Sequence, residues 1–352
     1  MSSLLTHLSP LAPDDSGACA VLYELGGITV ICDAGGCAGN VCGFDEPRWH
    51  EKQSALFSAG LRDMDAILGR DKLLIDKLCQ ITEQIPAEFT AIVGTPVPAV
   101  IATDYQALSR MAEQRTGLPC IVIPTDGTKY YDAGAEQAYY AVFDRFATEQ
   151  YPTKKNKVGI LGAAPLDTGF TRAADVTKGM HYDEIVCFGL DSGLDEICRA
   201  SECSVIHVIA PSGLKTAKLL HERFGTPYVI LPHVPGEVLE QCRETGIGDR
   251  RILIVHQQYA ANHLRETLYP QEDYLPWPAQ IDCATWFRFD PAYANENDFR
   301  IRTEQDLRDA AQHYDMIIAD SMFRRAVPDF RGEWIDWPHA AVSGCGRCPE
   351  RV

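Results

Sequence analysis

Gly117-Leu118-Pro119-Cys120-Ile121-Val122-Ile123-Pro124 and Gly225-Thr226-Pro227-Tyr228-Val229-Ile230-Leu231-Pro232 share one pattern: a glycine, a proline two residues on, an apolar run and a closing proline. A looser copy, GEWIDWP, runs from Gly332 to Pro338. Each copy follows the same order of elements: an acidic amphipathic helix, an apolar strand, a turn and a second helix. In the first unit the strand is FTAIVG (89–94), the turn is TPVP, and the helix covers about residues 99–115. In the second the strand is SVIHVIA (204–210), the turn PSG and the helix LKTAKLLHERF; in the third the strand is DMIIAD (315–320), followed by SMFRRAV. Strands alternating with helices in this way form parallel sheets covered on both faces. The expected architecture is therefore α/β, with three Rossmann-like, doubly wound parallel-sheet domains over residues 1–153, 154–247 and 248–352. One large sheet with a lid is the alternative left open by this order of elements.

The bulk composition narrows the function classes. The 352 residues suffice for two or three domains, each burying its own core. With 46% hydrophobic and 23% charged residues, and apolar runs of strand length only, no membrane span is expected. The first residues, MSSLLTHLSPLAPDDSGAC, lack a basic region and an apolar stretch of export length, which reads as a cytoplasmic protein. A formal net charge of −17 repels phosphate backbones and anionic lipid, so neither nucleic acid nor membrane is an expected partner. The 13 cysteines, in a reducing compartment, read as core thiols or metal ligands instead of disulfides.

Ligands of open parallel sheets sit beyond the carboxyl ends of the strands, where helix N-termini and loop amides converge. The segments expected there are 33–42, 94–98, 162–168, 189–193, 210–213 and 256–259. None carries a Walker GxxxxGK[ST] or a GxGxxG that opens a helix, which disfavours a nucleotide site. The chemically richest stretch is SGACAVLYELGGITVICDAGGCAGNVCGFDEPRW (16–49). It reads as a helix over about 17–25, a strand over 28–32 and a glycine-rich loop bearing Cys37 and Cys42. Thiolates are soft anionic ligands for iron, and loop amides offset a cluster's negative charge. Cys19, Cys32, Cys37 and Cys42 are thus the candidate cofactor-binding residues, with buried core thiol as the competing reading, above all for Cys32 in its apolar strand.

The early proline, the acidic spacer, the helix and strand, and GGCAGN with its downstream arginine resemble the cluster-binding segment of nitrogenase component-1-type oxidoreductases. That family also includes cofactor-assembly scaffolds and protochlorophyllide and nickel-tetrapyrrole reductases. The resemblance extends through TPVPAVIATD (95–104), residues 189–236 and residues 315–344. It implies three domains of the component-1 type and an iron–sulfur cluster of the 4Fe-4S type or larger near a subunit interface. It also implies a homodimer or a paralogous partner subunit, and electrons delivered by a separate ATP-dependent iron-protein reductase. On the family's three cluster-cysteine positions this chain has Ser9, Cys37 and Pro96 or Val97; Cys42 and Cys19 are nearby thiols able to substitute, and a homodimer doubles their number. The position of the cysteine that holds the molybdenum–iron cofactor in nitrogenase falls near Ile209, so dinitrogen reduction is not expected.

Near the C-terminus Cys345 and Cys348 have ligand or dithiol spacing and read as additional metal ligands or a labile dithiol. His181, His207, His233 and His256 sit near strand ends and read as hydrogen-bonded structural residues. Asp33, Asp45, Glu46, Arg48 and Trp49 flank the cysteine loop, where solvated charge and loop packing are the expected roles. The expected function is a nitrogenase-like reductase subunit that passes low-potential electrons through its cluster to an unsaturated or metallo-organic substrate. The alternative is a cluster or metallocofactor assembly scaffold without turnover. A periplasmic-type small-molecule binder is a third reading, weakened by the missing export signal.

Overall fold

The computed structural model describes residues 5–69, 71–269 and 278–342, so Cys345 and Cys348 lie outside the described residues. It contains three parallel sheets, as the repeats imply. The first comprises β1 (Ile28–Ile31), β2 (Leu56–Ser58), β3 (Thr90–Val93) and β4 (Cys120–Ile123), in the order β2-β1-β3-β4. The second comprises β5 (Lys157–Leu161), β6 (Glu184–Cys187), β7 (Val205–Val208) and β8 (Tyr228–Ile230), in the order β6-β5-β7-β8. The third comprises β9 (Arg251–Val255), β10 (Gln280–Thr285), β11 (Phe299–Arg300), β12 (Met316–Ala319) and β13 (Glu333–Asp336), in the order β11-β10-β9-β12-β13. The three copies of the glycine–proline pattern become the same piece of each sheet: β4, β8 and β13 are all edge strands beside the strand that precedes them.

The pattern works through its glycine in the first two copies. Gly117 and Gly225 take left-handed φ of 72° and 73° and end the Tyr105–Thr116 and Leu214–Phe224 helices, a conformation that other residues resist. The proline then enters the edge strand, where a missing N–H is tolerated. In the third copy Gly332 follows a 3-10 turn and is needed for a different reason: a side chain there would meet the Asp315 carbonyl at 2.3 Å.

Burial departs from the expectation of three private cores. The largest apolar cluster draws on all three sheets, through Val93 and Ile123, Leu161 and Val208, and Leu253 and Ile317. Each sheet packs its other face into a smaller core of its own. Both faces are therefore covered, which is why β1, β3, β9 and β12 are buried at nearly every position without alternation. At the middle of the shared core the Asp14–Leu22 helix, buried along its whole length, crosses the Tyr131–Phe146 helix at backbone contact. A Cβ on Gly17 would lie 1.8 Å from the Tyr131 carbonyl oxygen, and one on Gly134 would lie 1.7 Å from that of Asp14.

Two local expectations are corrected. The helix read over about 99–115 is broken: a short helix covers Pro96–Val100, Ala102 beyond it takes a φ of 52°, and Asp104 caps a new helix from Tyr105 through a bond from the Ala107 amide. The glycine-rich cysteine loop is largely wound, as a Gly36–Asn40 helix running into a π-turn over Val41–Asp45. Gly35, at φ 109°, starts it, and the Asp33 carboxylate accepts from the Ala38 amide and neutralises its first turn. Among the described residues no helix is long and apolar enough to cross a membrane.

Candidate functional site

The crevice at the carboxyl ends of β1 and β3 holds the cysteine segment. Asp33 ends β1 and is buried; one carboxylate oxygen accepts from the Ser58 hydroxyl and the other from the Ala38 amide, joining the segment to β2. Asp45 closes the far end by accepting from Ser16 Oγ and Asn40 Nδ2, both at 2.6 Å. Arg48 then bolts the segment down: its guanidinium donates to both Glu46 oxygens at 2.7 Å, to the Ala20 carbonyl at 2.6 Å and, across to the second sheet's loops, to the Gly189 carbonyl at 2.9 Å. Glu24 approaches the same guanidinium at 3.4 Å. Arg48 is buried with its donors engaged inside the protein, a structural part and not a solvated loop charge.

The four candidate thiols separate into two groups. Cys37, on the short helix, and Cys42, on the π-turn, are half-buried and pack against the shared core, to which the fully buried Cys19 also belongs. Cys32 lies in the other core of the first sheet, with Ile28, Val30 and Cys120. Burial, reinforced by Asp15 and Asp33, pushes the Cys37 thiol up to about 12. Burial, with Glu46 behind it, also raises Cys42, and burial followed by Asp15 and Glu46 raises Cys19 well above the usual thiol range. Burial and the neighbouring Asp33 push Cys32 up to about 12. Such thiols stay protonated at neutral pH unless a metal ion displaces the proton.

The fit to a metal cluster is partial. Among the described residues no three His, Cys, Asp or Glu side chains come together in an arrangement able to hold a metal ion. A four-iron cluster takes four thiolates, and the described residues do not assemble them: Cys32 faces another core, and Cys19 sits inside a wholly buried helix. What remains is an open rim. Around Cys37 and Cys42, a Cβ built on Gly35, Gly36, Gly39 or Gly43 meets nothing within 4 Å. At the third cysteine position of the resemblance Pro96 opens the short helix, and its ring lies against Gly127. Ser9 belongs to an N-terminal strap held to the third unit, where the amides of Thr6, His7 and Leu8 each donate to Glu304 Oε1 at 2.9 Å.

In the second and third units the strand-end loops around Gly162, Gly213 and His256 are closely packed. A Cβ on Gly162, after β5, would lie 2.7 Å from the Ala210 amide, and one on Gly213, after β7, would lie 2.7 Å from Leu161 Cβ. Asp167 lies between these loops and accepts from Tyr131 Oη at 3.0 Å and Ser212 Oγ at 2.9 Å. Ile209 is buried, and its carbonyl accepts from Gln257 Nε2 at 3.2 Å. Beyond β9, the His256 ring stacks on Trp337 at 4.0 Å and lies 4.6 Å from His339, which stacks on Phe287 at 4.4 Å. The segments over 162–168, 210–213 and 256–259 thus sit at strand ends, as expected, but serve closure. Asp167, Ser212, Tyr131 and His339 have no motif or periodicity to announce them; Asp167 and Ser212 lie in loops expected at the strand ends, and Tyr131 and His339 lack even that signal.

A family model described as nitrogenase component 1 type oxidoreductase matches residues 17–237, well over half of the chain. The chain belongs to that family. The nitrogenase iron-molybdenum cofactor biosynthesis protein NifE of Clostridium pasteurianum is 25% identical over 175 residues, which cover 49% of this chain and 38% of that protein. The matched region thus spans well under half the length of that curated relative. Solved structures of nitrogenase Cp1 at pH 6.5 and pH 5 superpose with TM-scores of 0.70 and 0.66. They cover 99% and 97% of this chain, and 89% and 85% of theirs, at 10% and 12% identity, a likeness of fold alone.

Proposed function

We propose that this component-1-type chain is an assembly subunit: it holds an iron–sulfur group at the carboxyl edge of its first sheet and releases it to an acceptor. One observation carries the reading. The short segment that presents Cys37 and Cys42 lies open at its four glycines, while the loops around Gly162, Gly213 and His256 are packed with the chain's own groups. A group bound at an open rim is reachable by an acceptor, whereas a substrate-reducing centre calls for an enclosed, water-poor cavity. The similarity to a protein named for cofactor biosynthesis supports the same role.

Cys37 and Cys42 supply two ligands in this reading, and a second component-1-type chain, identical or paralogous, supplies the rest. Apolar surface supports that partner. Phe44, Met64, Ile67, Leu73, Val100 and Ile101, all exposed, lie on the segments that follow β1, β2 and β3, and clustered exposed apolar residues mark association sites. Anaerobic reconstitution with ferrous iron and sulfide tests the proposal. It should load about four irons per pair of chains, lose them in Cys37→Ser/Cys42→Ser, and pass them to an apo-ferredoxin. Failure to take up iron at all would sink the proposal.

A second reading keeps the cluster in place and has it accept electrons from an ATP-dependent iron protein, as a subunit of an oxidoreductase. The family's description supports it. A cluster that resists transfer and is reduced by such an iron protein would favour this reading over the first.

A further inference from the structure

Asp167 is the least expected group in the filled junction. It is buried on a four-residue helix, Pro165–Thr168, at the carboxyl end of β5. Among the described residues its two oxygens face only hydroxyls, Tyr131 Oη at 3.0 Å and Ser212 Oγ at 2.9 Å, and no ion pair offsets its charge. Those partners come from different places. Tyr131 opens the helix that crosses the Asp14–Leu22 helix next to the first sheet, and Ser212 lies in the turn after β7. The Tyr131 ring also touches the third unit, 5.1 Å from Phe287 and 5.9 Å from His339. One carboxyl group thus ties together the segment where all three sheets meet.

We propose that Asp167 is a proton-operated latch: as the neutral acid it holds Tyr131 and the Ser212 turn together, and on losing its proton it loosens the contact between the first and second units. Two hydroxyls can satisfy a neutral acid, but they cannot replace the water that a carboxylate gives up on burial. Burial accordingly moves the group up to about 7, against the smaller opposing effect of the two hydroxyls.

The surrounding charges push the same way. From the Tyr131–Phe146 helix, Tyr139 donates to the Phe188 carbonyl, and Asp132 is the one carboxylate that acts on Asp167 directly, through like-charge repulsion. Asp132 is itself raised to about 6 by burial, with the Arg288 amide and the charge of Arg300 opposing that rise. The Asp14–Leu22 helix spends its carboxylates elsewhere, Asp14 on the amides of Asp126 and Gly127, and Asp15 beside Cys37. From the third unit His339 reaches Tyr131 by ring contact.

The sign follows from linkage. The folded chain holds a proton on Asp167 that the unfolded chain has lost, so stability falls as pH rises from the ordinary aspartate value of 3.8 through about 7. Closure is therefore strongest on the acid side of neutrality.

Hydrogen-exchange mass spectrometry of the full chain at about pH 5.5 and about pH 8.5, corrected for intrinsic exchange, tests the latch. In the wild-type chain residues 131–146 and 209–214 should exchange at least about tenfold faster at the higher pH. Asp167→Asn, which keeps the shape and cannot ionise, should hold both segments equally protected at the two values. Ser212→Ala removes a donor that favours the carboxylate, so in residues 131–146, still tied through Tyr131, it should move the midpoint of loosening to higher pH. A wild-type chain indifferent to pH, an Asp167→Asn profile that parallels it, or an unmoved midpoint in Ser212→Ala would each overturn the proposal.

Discussion

The carboxyl end of the first sheet and the junction of the second and third occupy equivalent positions in three copies of one unit, yet they are built from opposite materials. At the first, the glycines beside Cys37 and Cys42 leave space that an added Cβ would not fill, the two thiols are half-buried, and large apolar side chains face outward. At the junction, glycines bring backbones within contact, hydroxyls meet a carboxyl, and aromatic rings stack. Topology makes every strand-end crevice a possible binding site. Packing the loops around Gly162, Gly213 and His256 with the chain's own groups turns that possibility into cohesion. The same residue type has two uses here: a glycine that prevents a clash is structural, and one beside empty space leaves room for something else.

Substituting glycines in the two kinds of environment tests that contrast most strongly. Gly134→Ala puts a methyl group where the Asp14 carbonyl oxygen already lies, 1.7 Å away, and neither backbone can yield without moving its helix. A loss of more than about 4 kcal/mol, seen as little soluble chain or early urea unfolding, is the expected outcome. Gly39→Ala lies in a helical turn with nothing within 4 Å, so it should be neutral or stabilising by up to about 1 kcal/mol. Equal unfolding midpoints for the two variants would erase the distinction. Next in size is Arg48→Met, which strands Glu46 in the interior along with the Ala20 and Gly189 carbonyls. Breaking a buried ion pair on one side costs about 3–5 kcal/mol. A smaller loss in chemical denaturation would mean that water reaches the network.

Much of the architecture was legible because it repeats. The glycine–proline pattern at Gly117 and Gly225 names a helix end and an edge strand, two local events set by the backbone preferences of those residues. The shared core was not legible, because Ile31 and Leu253 carry no mark of burying themselves in one cluster instead of two. At the candidate site, the cysteine-rich stretch between Cys19 and Cys42 falls at the carboxyl end of the first sheet, where the order of elements puts it. The sorting of those thiols was hidden: Cys32 follows the alternation of β1 to the far face with Ile28 and Val30, while Cys37 and Cys42 depend on how the segment winds after Gly35. Asp167 and Tyr131 lie 36 residues apart and meet only where the first unit packs on the second, a tertiary event with no local signature.

The smallest effect on folding belongs to the outward-facing residues, and it sharpens the comparison from the other side. Val100 is 85% exposed and Phe44 67%, so Phe44→Ser/Val100→Ser removes little buried area. Its unfolding midpoint should shift by no more than about 0.5 kcal/mol per site. If the open crevice is completed by a second chain, the same double variant should weaken self-association at least about tenfold, because apolar anchors at the centre of an interface carry much of its energy. Sedimentation velocity across a dilution series reads the two effects apart from one another. A wild-type chain that stays monomeric at every concentration, with or without iron and sulfide, would rule out an identical partner and leave a paralogous one. A double variant that dimerises as well as the wild type would move the interface away from the cysteines, and Cys37 and Cys42 would then need ligands from some other source.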